Sequence, residues 1–115
     1  MKTSPFAGRT HLSVYLPAEA PTSAVVDQLK SEINRTERST SFQIKDVIVL
    51  MLNDLMITLT EKYPKNVPYP GVAVFSLPKK DGSVDITFLE PKHGKIDIFS
   101  YNLDEEFFLD EEYFP

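Results

Sequence analysis

The sequence predicts an α+β domain, a two-layer sandwich with a mostly antiparallel four-stranded sheet and two helices on one face, in the order β-α-α-β-β-β. Three observations carry that prediction. From Ser39 to Tyr63, the residues Ile44, Ile48, Leu52, Leu55 and Leu59 recur at helical spacing. Val47, Leu50 and Met51 widen that stripe until only Asn53, Asp54 and the last turn read as wet. The unbroken run Val47–Leu52 also fits a buried strand, but the length of the whole stretch favours a helix. Beyond it, three strand-like runs follow a proline-rich segment and are separated by turn signals. Finally, 115 residues suffice for one hydrophobic core and not for two. A helix that is apolar over most of its circumference can take a sheet on one side and a second helix on another, so it is placed at the centre of the domain.

In chain order, residues 1–9 contain Ser-Pro and Ala-Gly breakers and read as a loose lead-in. His11–Leu16 alternates and stops at Pro17, the pattern of a strand. After a loop from Pro17 to Pro21, Thr22 or Ser23 can cap a first helix by accepting a bond from a free backbone N–H. Val25, Val26, Leu29 and Ile33 form its apolar stripe, which fades through Asn34-Arg35-Thr36-Glu37-Arg38. The short polar loop before the central helix then stands out as a tip. Pro64, Pro68 and Pro70 close the helical region, because proline removes a donor and disfavours helix in the residue before it. Strands are expected at Gly71–Leu77, Ser83–Leu89 and Lys95–Tyr101. Lys79-Lys80-Asp81-Gly82 reads as a hairpin turn, since Asp-Gly tolerates positive φ, and Pro91-Lys92-His93-Gly94 as a second turn. In the last two strands Val84, Ile86, Phe88, Ile96 and Ile98 should face the helices. Asp85, Thr87, Asp97, Phe99 and Tyr101 should then lie on the opposite face. No internal repeat is expected.

Composition narrows the function. Cysteine is absent, which excludes disulfides and thiolate chemistry, and two histidines argue against a zinc site. No apolar run is long enough to span a membrane and no apolar signal segment opens the sequence, so the expectation is a cytoplasmic protein with no membrane partner. A net charge of -5 argues against nonspecific nucleic-acid binding, because phosphate contacts need basic side chains. The charge is uneven, however. Asp104, Glu105, Glu106, Asp110, Glu111 and Glu112 crowd the last twelve residues, and the body before them holds eleven acidic against twelve basic side chains. A local RNA contact therefore stays open. Acids this dense read as a solvated face rather than as paired catalytic carboxylates, with Phe107 packed and the last few residues loose. The four glycines are isolated, so no phosphate loop forms. No catalytic constellation and no cofactor site stand out, and the residues describe a domain that binds rather than catalyses.

At several points the chain resembles the N-terminal, codon-reading domain of the class 1 peptide chain release factors of archaea and eukaryotes. The resemblance covers roughly residues 8–108. Leu12-Ser13-Val14-Tyr15-Leu16-Pro17 is similar to that family's opening strand, and Gly8-Arg9-Thr10 lies where the family has Gly-Thr-Ser. Thr40-Ser41-Phe42-Gln43-Ile44-Lys45-Asp46 resembles the TASNIKS loop, with the Ile-Lys pair kept, Gln for Asn and Asp for the final Ser. Glu37 stands where the family has a codon-contacting glutamate. Tyr63 through Val67-Pro68-Tyr69-Pro70-Gly71 is similar to the helix–VPxxG–strand junction, and Phe88-Leu89-Glu90-Pro91 to the ending of the strand that follows. Tyr101-Asn102-Leu103-Asp104-Glu105-Glu106-Phe107 has the spacing of the YxCxxxF motif, with Leu103 in place of cysteine.

The resemblance implies a ribosome-binding translation factor domain whose partners are rRNA and mRNA at the decoding site, with stop-codon recognition or occupation of that site as the consequence. It assigns RNA contacts to Thr10, Glu37, Gln43, Ile44, Lys45 and Tyr101. The chemistry suits those roles: lysine meets phosphate, Gln and Glu meet base edges, and a tyrosine on an open sheet face stacks. In the family, peptide release depends on a Gly-Gly-Gln loop in another domain, and this sequence has no adjacent glycines. Two other functions fit the same residues. One is a stand-alone regulator or hibernation-type factor that blocks the site without reading a codon. The other is a protein-interaction module whose Phe107, Phe108, Tyr113 and Phe114 carry the acidic tail onto a basic partner.

Overall fold

The computed structural model describes residues 10–39 and 42–115, so the lead-in expected at residues 1–9 and the tip residues Thr40 and Ser41 lie outside the described residues. Six elements follow in the expected order: β1 (His11–Leu16), α1 (Thr22–Ser39), α2 (Phe42–Lys62), β2 (Val72–Pro78), β3 (Val84–Leu89) and β4 (Ser100–Asp104). The strands form one sheet in the order β3-β2-β1-β4, antiparallel at each pairing. Leu12, Val14 and Leu16 of β1 and Val72 and Val74 of β2 alternate onto one face. There they meet Val25 and Leu29 of α1 and Ile48, Met51, Leu52, Leu55 and Leu59 of α2. Each such aliphatic side chain contributes about 1.5–3 kcal/mol by leaving water, which is what holds two amphipathic layers together.

The loops are tied by main-chain bonds. Ala24 and Val25 both donate to the Pro21 carbonyl, so Pro21 rather than Thr22 or Ser23 closes the first turn of α1. The Thr22 hydroxyl instead donates to the Tyr63 carbonyl at 2.6 Å, fastening the start of α1 to the end of α2. Gly71 has φ of 100°, and a Cβ there would sit 2.8 Å from the Leu16 carbonyl oxygen, so only glycine fits between the β1 and β2 ends. The Asp81-Gly82 hairpin forms as expected. Gly82 takes φ of 89°, Lys79 N–H donates to Ser83 O at 2.9 Å, and the Asp81 carboxylate accepts from Ser83 N–H. Val84, Ile86 and Phe88 of β3 pack toward the helices while Asp85 and Thr87 are exposed.

The last strand departs from expectation. It begins at Ser100, not Lys95, and pairs with β1 so that Tyr101 stands opposite Val14 and Leu103 opposite Leu12. Phe99, Tyr101 and Leu103 therefore point to the helices. Ile98 is 76% exposed, and Ile96 is buried on the opposite face with Tyr15, Ala73 and Phe75. Because side chains alternate with a period of two, a strand placed in the wrong register inverts every face assignment.

The second sheet face is covered over β1 and β2. Residues 105–115 cross it as a strap: the Tyr15 hydroxyl donates to Phe108 O at 2.6 Å and accepts from Asp110 N–H at 2.9 Å, and Phe108 N–H donates to the Ser13 hydroxyl at 2.8 Å. Tyr113 O accepts from the amides of Lys92 and His93. Tyr113 and Phe114 pack on Tyr15, whereas Phe107 and Phe108 stay 38% and 41% exposed, the reverse of the expected order. The strap also contains a short repeat that the sequence reading missed, Asp104-Glu105-Glu106-Phe107-Phe108 followed by Asp110-Glu111-Glu112-Tyr113-Phe114. In both copies the aromatic pair is turned onto the sheet.

Candidate nucleic-acid interface

Topology gathers the candidate residues at one end of the molecule. β2 and β4 are antiparallel to β1, so Pro78 and Asp104 finish beside the start of β1, where Thr10 precedes His11. α1 starts near the far end of β1 and runs back. Its eighteen residues span about 27 Å, against about 20 Å for the six of β1. The last turn of α1 and the first turn of α2 thus reach past the sheet at the Thr10 end. An overhanging helical turn can enter a groove that a flat sheet cannot.

Glu37 lies in the last turn of α1 and is exposed, as its assigned contact requires. Lys45 lies in the first turn of α2, half-buried, with Asp46 exposed beside it. Gln43 and Ile44 belong to the same helical turn, and their side chains lie outside the described residues. Thr10 is fully buried, which makes it a support rather than a contact.

Tyr101 is the clear correction. It does not stand on an open sheet face; it lies under α1, next to Glu32, Arg35 and Thr36. Burial pushes its hydroxyl up to about 12, with the Glu32 carboxylate adding to the shift and the Thr36 hydroxyl opposing it. That hydroxyl lies close to Thr36 without a well-formed hydrogen bond. Tyr101 thus braces the root of the helical overhang from below.

The polar residues that the sequence reading passed over are Glu32, Arg35 and Thr36. Glu32 and Thr36 are buried, and Arg35 Nη1 lies 3.4 Å from Glu32 Oε1 with its own side chain largely in solvent. The signal was present: Val25, Leu29, Glu32 and Thr36 continue one helical face at steps of four, three and four. The pattern breaks there only when polar residues are assumed to face water. Arg35, Arg38 and Lys45 supply the cations of this end on its helix side. On its strap side a cleft of 310 Å³ is lined by Asn102, Asp104, Glu105, Glu106, Phe107 and Phe108. Lys79 and Lys80, exposed directly after Pro78, add two cations at the same end, so a phosphate backbone meets favourable charge along the helices and at the β2–β3 hairpin rather than at the acidic cleft.

No helix among the described residues is long and apolar enough to cross a membrane. No family model matches the chain and no curated protein matches it. Solved structures share its fold, among them the following two. One is described as an archaeal protein, 22% identical with a TM-score of 0.75, over 93% of this chain and 30% of that one. The other is the crystal structure of the archaeal translation termination factor aRF1, 21% identical with a TM-score of 0.73, over 93% of this chain and 29% of that one. The chain thus spans less than a third of either neighbour, and at these identities the likeness is one of fold.

Proposed function

We propose that this chain is a ribosome-binding domain of the translation apparatus, docking at the decoding site by the last turn of α1 and the first turn of α2. The observation that carries the reading is the fold shared with a translation termination factor over 93% of the chain. Lys45, Arg35 and Arg38 meet phosphate, while Glu37 and Gln43 reach base edges. Thr10 and Tyr101 hold the overhang rigid, and Ile44 belongs to the probing turn. The domain acts by binding, in the cytoplasm, and adjacent glycines for a release loop are absent from its sequence. Two observations favour occupation of the site over codon reading: Tyr101 faces the helices, and exposed Asp46 sets a negative charge next to Lys45. The acidic strap is a second route, to a basic protein partner: Tyr113 and Phe114 are packed on the sheet, while Phe107 and Phe108 keep 38% and 41% of their surface exposed beside the acidic groups.

The test is co-sedimentation of wild type and Lys45→Glu with ribosomes at two salt concentrations, on stop-codon and sense messages, beside thermal melts. Lys45 is the only cation in the sequence between Arg38 and Lys62. Its loss should lower the salt slope by about one unit and change stability by no more than about 0.5 kcal/mol. Binding that ignores the codon supports simple occupation of the site. Equal binding of both proteins removes the overhang from the mechanism.

A further inference from the structure

α2 carries an anomaly that its own fold leaves unresolved. A helix that is apolar over most of its circumference buries most of it, yet Leu50 is 44% and Ile57 58% exposed on the side turned away from the sheet, which they share with Asn53, Asp54 and Glu61. The polar residues of that side are drier than their names suggest. Asn53, Thr58 and Thr60 all donate to carbonyls one turn earlier in the same helix, at 3.0, 2.8 and 2.9 Å. Between the helices lies a groove of 420 Å³, lined by Val26 and Lys30 of α1 and by Met56, Ile57, Thr60 and Glu61 of α2.

We propose that this groove is the interface of a two-fold homodimer, in which the helix layer of one copy packs on that of a second. Three features select a second copy as occupant. The groove has Lys30 on one wall and Glu61 on the other, so a two-fold axis passing near Ile57 turns each lysine toward the partner's glutamate. The layer is nearly neutral, with three acidic and three basic residues in α1 and three acidic and two basic in α2. The strap that carries Glu105, Glu106, Asp110, Glu111 and Glu112 packs on the other face of the sheet, so the two acidic straps point away from each other. The face measures roughly 27 by 18 Å, an outline of about 500 Å², against the roughly 800 Å² each partner gives in a standard interface. The dimer is therefore weak and concentration-dependent. It leaves the overhanging turn free, so it stands or falls independently of ribosome docking.

Sedimentation velocity of the full chain from low micromolar to submillimolar concentration tests this. The expected result is a mass rising from one chain toward two. Ile57→Asp should stay monomeric throughout with an unchanged melting temperature, because Ile57 is not part of the core. Lys30→Glu should weaken association about tenfold, as lost charge pairing of about 1.4 kcal/mol does, and Lys30→Glu combined with Glu61→Lys should restore it. A wild type that remains monomeric overturns the proposal, and so does Ile57→Asp dimerising as well as wild type. A charge swap that fails to restore association overturns the assigned axis. Should wild type be monomeric while Ile57→Asp loses ribosome binding, the groove belongs to a ribosomal contact and the dimer is wrong.

Discussion

On its helix side the sheet meets aliphatic side chains from two regular helices, whereas on its other side it meets an irregular strap held by aromatic rings and hydrogen bonds. Leu12, Val14, Leu16 and Val74 have no exposed surface and need no polar partner. Tyr15, on the other face, is equally buried but is anchored at its hydroxyl by two bonds, and its ring lies within 6.3 Å of those of Phe75, Phe108, Tyr113 and Phe114. The difference teaches how order is reached without secondary structure. A helix satisfies its own main chain and can spend its side chains on apolar packing. A strap cannot, so its amides and carbonyls must find partners on the sheet, as Phe108 N–H finds Ser13 and Phe108 O finds Tyr15.

The comparison can be broken from its stronger side first. Leu55→Ala, at a site with no exposure, should cost about 3–5 kcal/mol, seen as a shift of the denaturant midpoint with an unchanged slope. A loss under about 1 kcal/mol would mean that the helix layer collapses onto the cavity far more readily than an aliphatic core should.

The second test contrasts two tyrosines. Burial holds Tyr101 at about 12, against 10.0 for free tyrosine. The folded state keeps that proton where the unfolded chain gives it up. The associated stability is therefore whole below pH 10 and is lost as pH rises toward 12, by about 2 kcal/mol. The readout is the difference between wild type and Tyr101→Phe, since Tyr15, Tyr63 and Tyr113 are also raised by burial and remain in both proteins. A difference that stays flat across this range would show water reaching Tyr101 beneath α1.

Tyr15→Phe keeps the ring and removes the two bonds to the strap, for an expected loss of about 1–2 kcal/mol. Limited proteolysis should then cut within residues 105–115 sooner than in wild type. Unchanged cutting would make ring packing alone responsible for holding the strap.

The smallest effect should have the opposite sign. Ser76 is buried on the helix side opposite Leu12 and Ile86, and its hydroxyl makes no hydrogen bond. Ser76→Ala should stabilise the protein by up to about 1 kcal/mol, because an unpaired buried hydroxyl costs more than its absence. A destabilised variant would reveal a partner for that hydroxyl.

By itself the sequence determined what depends on near neighbours. The helical spacing of Ile48, Leu52, Leu55 and Leu59, the prolines after Lys62 and the Asp81-Gly82 turn each act within a few residues, and each appears where it was expected. The same holds for the candidate site in part. Glu37 and Lys45 could be placed on either side of a helical turn from local pattern alone. Only the tertiary structure decided the register of β4, the face of Tyr101 and the path of the last residues. Asp104 pairs with His11 and Phe108 with Tyr15 across more than ninety residues of chain. Before β1 was in place, Ile96-Asp97-Ile98 was a better strand pattern than Ser100–Asp104. It lost because the bonds of a strand, and the side toward which its residues point, belong to the partner it meets rather than to its own alternation.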